Sequence, residues 1–148
     1  MLIVPPRLAL ALLALSSALA PAAALAQSSP VTSSGGVARY TVPGLPAAIY
    51  LTLANRGNSA VSLVGASSPA CSRLMLHQTM NANGMSMMAD SAALPIPGNG
   101  SVTLAPGGYH LMCEDPNMTV GQQVSVILTF TGAPALTVSV PVKSAGGP

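Results

Sequence analysis

Val124-Ser-Val-Ile-Leu-Thr-Phe-Thr-Gly-Ala-Pro-Ala-Leu-Thr-Val-Ser-Val-Pro-Val142 is the stretch that decides the fold. Val124, Val126, Leu128 and Phe130 recur at every second position, and so do Leu136, Val138, Val140 and Val142. Successive side chains of a strand leave opposite faces, so this alternation reads as two half-buried strands. Thr131-Gly132-Ala133-Pro134 between them suits a hairpin connection. Working outward, short apolar stretches alternate with turn residues: Ala48–Leu53, Ser59–Ala66, Arg73–Thr79, Ser101–Leu104 and Tyr109–Cys113 read as further strands. Asn55–Asn58, Asn81–Gly84, Pro95–Gly100 and Pro106–Gly108 read as the turns between them. Fourteen Gly and fourteen Pro in 148 residues leave no room for a long helix. The expectation is an all-β Greek-key sandwich of about seven to eight strands.

The amino-terminal side is of another kind. Arg7 precedes the apolar run Leu8–Ala20, which is too short to cross a bilayer at the roughly 20 residues a helix needs. Ala24-Leu25-Ala26 supplies the small-x-small pattern of a cleavage site. Residues 1–26 are therefore expected to be a signal peptide, with Gln27 starting a mature chain that is periplasmic or otherwise exported. Residues 27–36 read as a flexible Ser/Gly leader, 37–143 as the β-sandwich domain and 144–148 as a short tail.

Charged residues make up 5% of the chain and leave a net charge of +2, with no run of either sign. Phosphate backbones are held by clustered cations, so nucleic acid is excluded as a partner. Three acidic residues in all also argue against paired-carboxylate catalysis and against a Ca²⁺ or Mg²⁺ site. No GxSxG, HExxH or P-loop pattern is present, so the chain does not read as an enzyme. Cys71 and Cys113 are 42 positions apart, which rules out a CxxC motif and leaves a disulfide, buried thiols or metal ligation open.

The chemistry is concentrated in methionine and histidine. Six of the eight methionines lie between Met75 and Met112, and both histidines, His77 and His110, fall in that interval. Met80, Met85, Met87 and Met88 stand in or beside a segment, Gln78–Asp90, whose polarity makes it read as a loop with little core to fill. Thioether sulfur is a soft donor suited to Cu(I), and imidazole binds copper as well. His110 and Met112 are two apart in an expected strand, so both leave the same face; Cys113 leaves the other. A blue-copper centre would need Cys, His and Met in succession near the carboxyl end, whereas here no histidine follows Cys113.

His77, ten residues, Met88, twenty-one residues, then His110-Leu111-Met112 resembles the copper signature of the PCuAC-type periplasmic copper chaperones. The flanks are similar too: Tyr50-Leu-Thr-Leu-Ala-Asn55, Gly65–Pro69, Leu104-Ala-Pro-Gly-Gly-Tyr-His-Leu-Met112 and Gly121–Phe130. The resemblance implies a cupredoxin-like sandwich binding one Cu(I) per chain through His77, Met88, His110 and Met112. Met85 and Met87 stand close enough in sequence to replace Met88. It further implies a monomeric carrier that delivers copper to the CuA centre of cytochrome c oxidase, directly or beside a Sco-type assembly protein. The alternative reading is a copper-independent, Ig-like structural or interaction domain.

Overall fold

The computed structural model describes residues 28–147; the expected signal peptide, residues 1–26, lies outside them. Ten strands follow in order: β1 (Val31–Arg39), β2 (Ala47–Asn55), β3 (Val61–Ser67), β4 (Arg73–Ala82), β5 (Met85–Asp90), β6 (Leu94–Ile96), β7 (Ser101–Leu104), β8 (Tyr109–Glu114), β9 (Gln123–Thr131) and β10 (Leu136–Lys143). Their pairing runs β5-β4-β8-β2-β1-β10-β9-β3-β6, with β7 also on β2. The β1–β10 link is parallel and only two residue pairs long, Ala38↔Val142 and Arg39↔Lys143. There the chain passes from one layer to the other, which makes the all-β sandwich expected from the alternation.

Burial follows that alternation. On β9 every second residue, Val124 to Phe130, is buried, and on β2 Ala47, Ile49, Leu51 and Leu53 are buried. These faces meet with Val140, Val142, Leu63, Leu111 and Ile96 in one core. Asn55 closes the buried row of β2 at 2% exposure. Its Nδ2 donates to Ser59 O (2.8 Å) and Ile96 O (3.3 Å), and its Oδ1 accepts from Gly57 N (2.9 Å). One amide thus satisfies three backbone groups of two different connections. Asn55→Ala strands all three and should cost about 2–3 kcal/mol of unfolding free energy, read by urea denaturation. A loss below about 0.5 kcal/mol would mean that water replaces the amide freely.

Two expectations need correction. Residues 27–36 are not all a flexible leader: Val31 to Ser34 pair with Asn55 to Thr52, and Val31 is buried in the core. The strand begins at Val31 rather than near residue 37. What reads as Ser/Gly flexibility is a bulge, since the register shifts between Ser34 and Val37. Gly35 has φ +62°, and a Cβ on Gly36 would collide with the Val140 side chain. The two glycines thus serve curvature and close approach rather than flexibility. Likewise Gln78–Asp90 is not a loop but the end of β4 folded back as β5, with Thr79↔Met88, Met80↔Met87 and Ala82↔Met85 in register. Asn83 (φ 52°) and Gly84 (φ 75°) form its two-residue turn, and Asn-Gly is the pair that tolerates two positive φ angles. With β1, β5 and the short β6 added, the strand count is ten rather than seven or eight.

Candidate metal centre

Strands β4 and β8 run antiparallel with Leu74↔Cys113, Met75↔Met112, Leu76↔Leu111 and His77↔His110 directly opposite one another. Leu74, Leu76, Leu111 and Cys113 face the core. Alternation sends Met75, His77, His110 and Met112 to the outer face, where they form a two-by-two array. Facing partners have Cβ atoms about 4.5–5.5 Å apart. Neighbours along each strand are about 6.5–7 Å apart. The rings of His77 and His110 meet edge to face with centroids at 5.8 Å.

Both imidazoles are withdrawn from water, His110 at 3% exposure and the His77 side chain at 14%. His110 Nδ1 lies 3.2 Å from Gly108 O. A carbonyl only accepts, so Nδ1 carries the proton and Nε2 is left with its lone pair. That Nε2 is buried without a hydrogen-bond partner, and so are both ring nitrogens of His77. Asp90 Oδ1 stands 2.8 Å from His77 Nε2, but without the alignment of a hydrogen bond. The Asp90 side chain is 81% exposed. Buried polar nitrogens are nearly always paired, so unpaired ones need an explanation, a bound water or ion among them.

The backbone explains how the second histidine is held. β7 and β8 lie along the same edge of β2, interrupted by the excursion Ala105–Gly108. Gly107 (φ 81°) turns the chain there so that Gly108 O accepts from Thr79 N (3.0 Å) while facing the His110 ring. A metal-binding imidazole typically donates its second nitrogen to such a carbonyl, which fixes its tautomer and orientation. On the far side Tyr50 packs its ring 6.3 Å from His110. Burial raises the Tyr50 phenol above its ordinary 10.0, with Arg39 pulling the other way, so Tyr50 is a neutral wall.

Register also sorts the methionines. Met88 faces Thr79, which lies on the same side of β4 as His77, so Met88 is a diagonal neighbour of His77 across β4 and β5. Diagonal Cβ atoms are about 7–8 Å apart, within reach of a thioether. Met87 faces Met80 and Met85 faces Ala82, and all four leave the opposite side of the hairpin. The structure thus brings His77, His110 and Met112 together and sets Met88 beside them, 62% exposed. Met75 was missed by sequence reasoning, although the parity that joins His110 to Met112 also joins Met75 to His77. Its Sδ is met by Arg73 Nη2 at 2.7 Å.

Cys71 and Cys113 form a disulfide, which settles the alternatives left open for them and withdraws both sulfurs as thiolate ligands. Among the described residues no three of His, Cys, Asp and Glu gather as a metal group. Beside the Asp90 carboxylate, the candidate donors on this face are imidazole and thioether, a soft and uncharged set.

This β-sandwich fold is shared with solved PCuAC domains. The copper-bound PCuAC domain from PmoF2 superposes with a TM-score of 0.65 at 22% identity, covering 78% of this chain and 93% of that one. The Cu(I) form of DR1885 from Deinococcus radiodurans is 34% identical, with a TM-score of 0.61 over 80% of this chain and 82% of that one. The chain belongs to the LpqE-like family, described as "Putative lipoprotein LpqE-like", which it matches over residues 31–142. "Putative lipoprotein Lxx21020" of Leifsonia xyli is 38% identical over 63% of this chain and 58% of that protein. The chain spans about half the length of the curated relatives it matches.

Proposed function

We propose that this chain is an exported Cu(I) carrier. It holds one ion through His77, Met88, His110 and Met112 and yields it to a recipient, the CuA centre of cytochrome c oxidase or a Sco-type protein that serves it. The observation that carries the reading is the pair of facing imidazoles, largely withdrawn from water, whose ring nitrogens His110 Nε2 and His77 Nδ1 and Nε2 have no hydrogen-bond partner, beside thioethers on the same face. Support for export comes from the leader at residues 1–26 and from a family and a relative that are both named "Putative lipoprotein". Support for copper comes from the Cu(I)-bound relative at 34% identity. Binding as a monomer and release without catalysis complete the reading.

Soft, uncharged donors hold Cu(I) but lose it to thiolate, which is the stronger donor. His77, His110 and Met112 lie on the inner strands β4 and β8, whereas Met88 lies on the exposed edge strand β5. Met88 is therefore the first contact an incoming recipient ligand replaces, and the copper leaves by stepwise exchange.

The test is an anaerobic Cu(I) titration of residues 27–148 against a chromophoric competitor. One tight equivalent is expected. Absence of tight binding would leave the copper-independent, Ig-like interaction domain as the reading. The parity of β5 adds a sharper expectation. Met88→Leu should weaken the tight equivalent about tenfold or more, while Met87→Leu, on the other side, should leave it unchanged. Equal losses in both variants would mean that the hairpin does not keep this register when copper binds.

A further inference from the structure

The hairpin carries methionines on both of its sides, and the carrier site uses only one. Beyond Thr79, β4 has left β8 and pairs with β5 alone, so the β4–β5 end is a two-stranded ribbon. The side away from the histidines consists of Gln78, Met80 and Ala82 on β4 with Met85, Met87 and Ala89 on β5. It carries no charge. Met80 and Met87 face each other directly, with Cβ atoms about 4.5–5.5 Å apart. Met85 lies two residues from Met87 on the same strand and diagonal to Met80, about 7 Å from each. The three are 42%, 51% and 63% exposed for Met80, Met87 and Met85, so no core claims them.

We propose that Met80, Met85 and Met87 form a second Cu(I) site, a three-thioether triangle on the face of the hairpin opposite the His/Met centre. Flexible side chains at these spacings converge on one ion, and thioethers need lose no proton to bind it. Apolarity alone does not account for the choice. Valine, isoleucine or an aromatic would suit an exposed strand better, and what methionine adds is a sulfur donor. Lacking imidazole, the triangle binds more weakly and fills after the His/Met centre. Met87 and Met88 are consecutive on the edge strand and leave opposite sides, so an ion at the triangle is one residue away from the carrier site. That part, as an entry or exit station, rests on the carrier reading; the triangle itself does not.

The experiment follows methionine ε-methyl signals by NMR in the full mature chain while Cu(I), added as its acetonitrile complex without oxygen, is titrated in. The first equivalent should move Met88 and Met112, and the second should move Met80, Met85 and Met87 together. The Met80→Leu/Met85→Leu/Met87→Leu variant should lose the second equivalent and keep the first. His77→Ala/His110→Ala should lose the tight phase and still move the three methyls. If those methyls stay in place, or the triple variant still binds a second ion, the triangle is not a site. If they move while the wild-type chain shows no tight phase, the triangle stands and the carrier reading falls.

Discussion

His110→Leu should abolish tight Cu(I) binding and, in the metal-free chain, leave the fold as stable as before or more so. The two halves of this result have one cause. His110 is 3% exposed, and its Nε2 is buried without a partner. An unpaired buried polar group costs about 1–3 kcal/mol, and an apolar side chain of similar size removes that cost. The bond lost is the one from Nδ1 to Gly108 O, a carbonyl that still accepts from Thr79 N. The net effect should be a gain of about 1 kcal/mol, or about 3–5 °C in Tm for a domain of this size. Copper affinity should fall by more than the roughly 10–100-fold that loss of an outer-shell partner costs. Cu(I) should raise the Tm of the wild-type chain and not that of the variant, because a ligand stabilises only the state that binds it. Differential scanning calorimetry with and without Cu(I) measures both. A variant several degrees less stable without metal would show His110 to be a structural residue, and the carrier reading would lose its main support.

How far the sequence leads to this point depends on which physical signal each element carries. β9 and β10 are legible because apolar residues recur at every second position through Val124–Phe130 and Leu136–Val142, with only Ile127 apolar on the outward side of β9, and burial follows that period. β1 is not, because its bulge at Gly35-Gly36 breaks the period and its Ser and Thr look like linker. The β5 strand is hidden for a different reason. Met85, Met87 and Met88 carry no strand preference, and the apolar side chains fall on both faces, so alternation cannot show. Only Asn83-Gly84 marks the hairpin, and reading it as a tight turn rather than the tip of a loop would have paired Thr79 with Met88.

The site divides in the same way. The spacing of His110 and Met112 gives their shared face from one strand alone. The contact of His77 with His110 depends on the register between two strands some thirty residues apart, which spacing does not contain. Choosing among Met85, Met87 and Met88 needs the hairpin register as well. Met75 needed neither, only the parity rule applied a second time.

Removing the disulfide should be the largest single loss of stability available in this chain. Cys71 sits in the turn before β4, and Cys113 is fully buried on β8. Their separation of 42 residues closes a loop that contains β4 to β7 and most of β8. Loop-closure entropy for that length corresponds to about 4 kcal/mol, a large share of the 5–15 kcal/mol typical of a domain. Cys71→Ala/Cys113→Ala should therefore lower Tm by about 10–20 °C, read by thermal denaturation. A fall of only a few degrees would mean that the β4–β8 ladder already restrains the unfolded chain. Below its Tm the variant should still bind the tight equivalent, since Met75↔Met112 and His77↔His110 are set by ladder pairing rather than by the bond. Reduction of the wild-type chain should behave differently, because it frees two thiols of higher affinity for Cu(I) than any thioether. In the proposed carrier the bond thus acts twice. It stabilises the loop that carries all four donors, His77, Met88, His110 and Met112, and it removes from this protein the one ligand type with which a recipient could otherwise not compete.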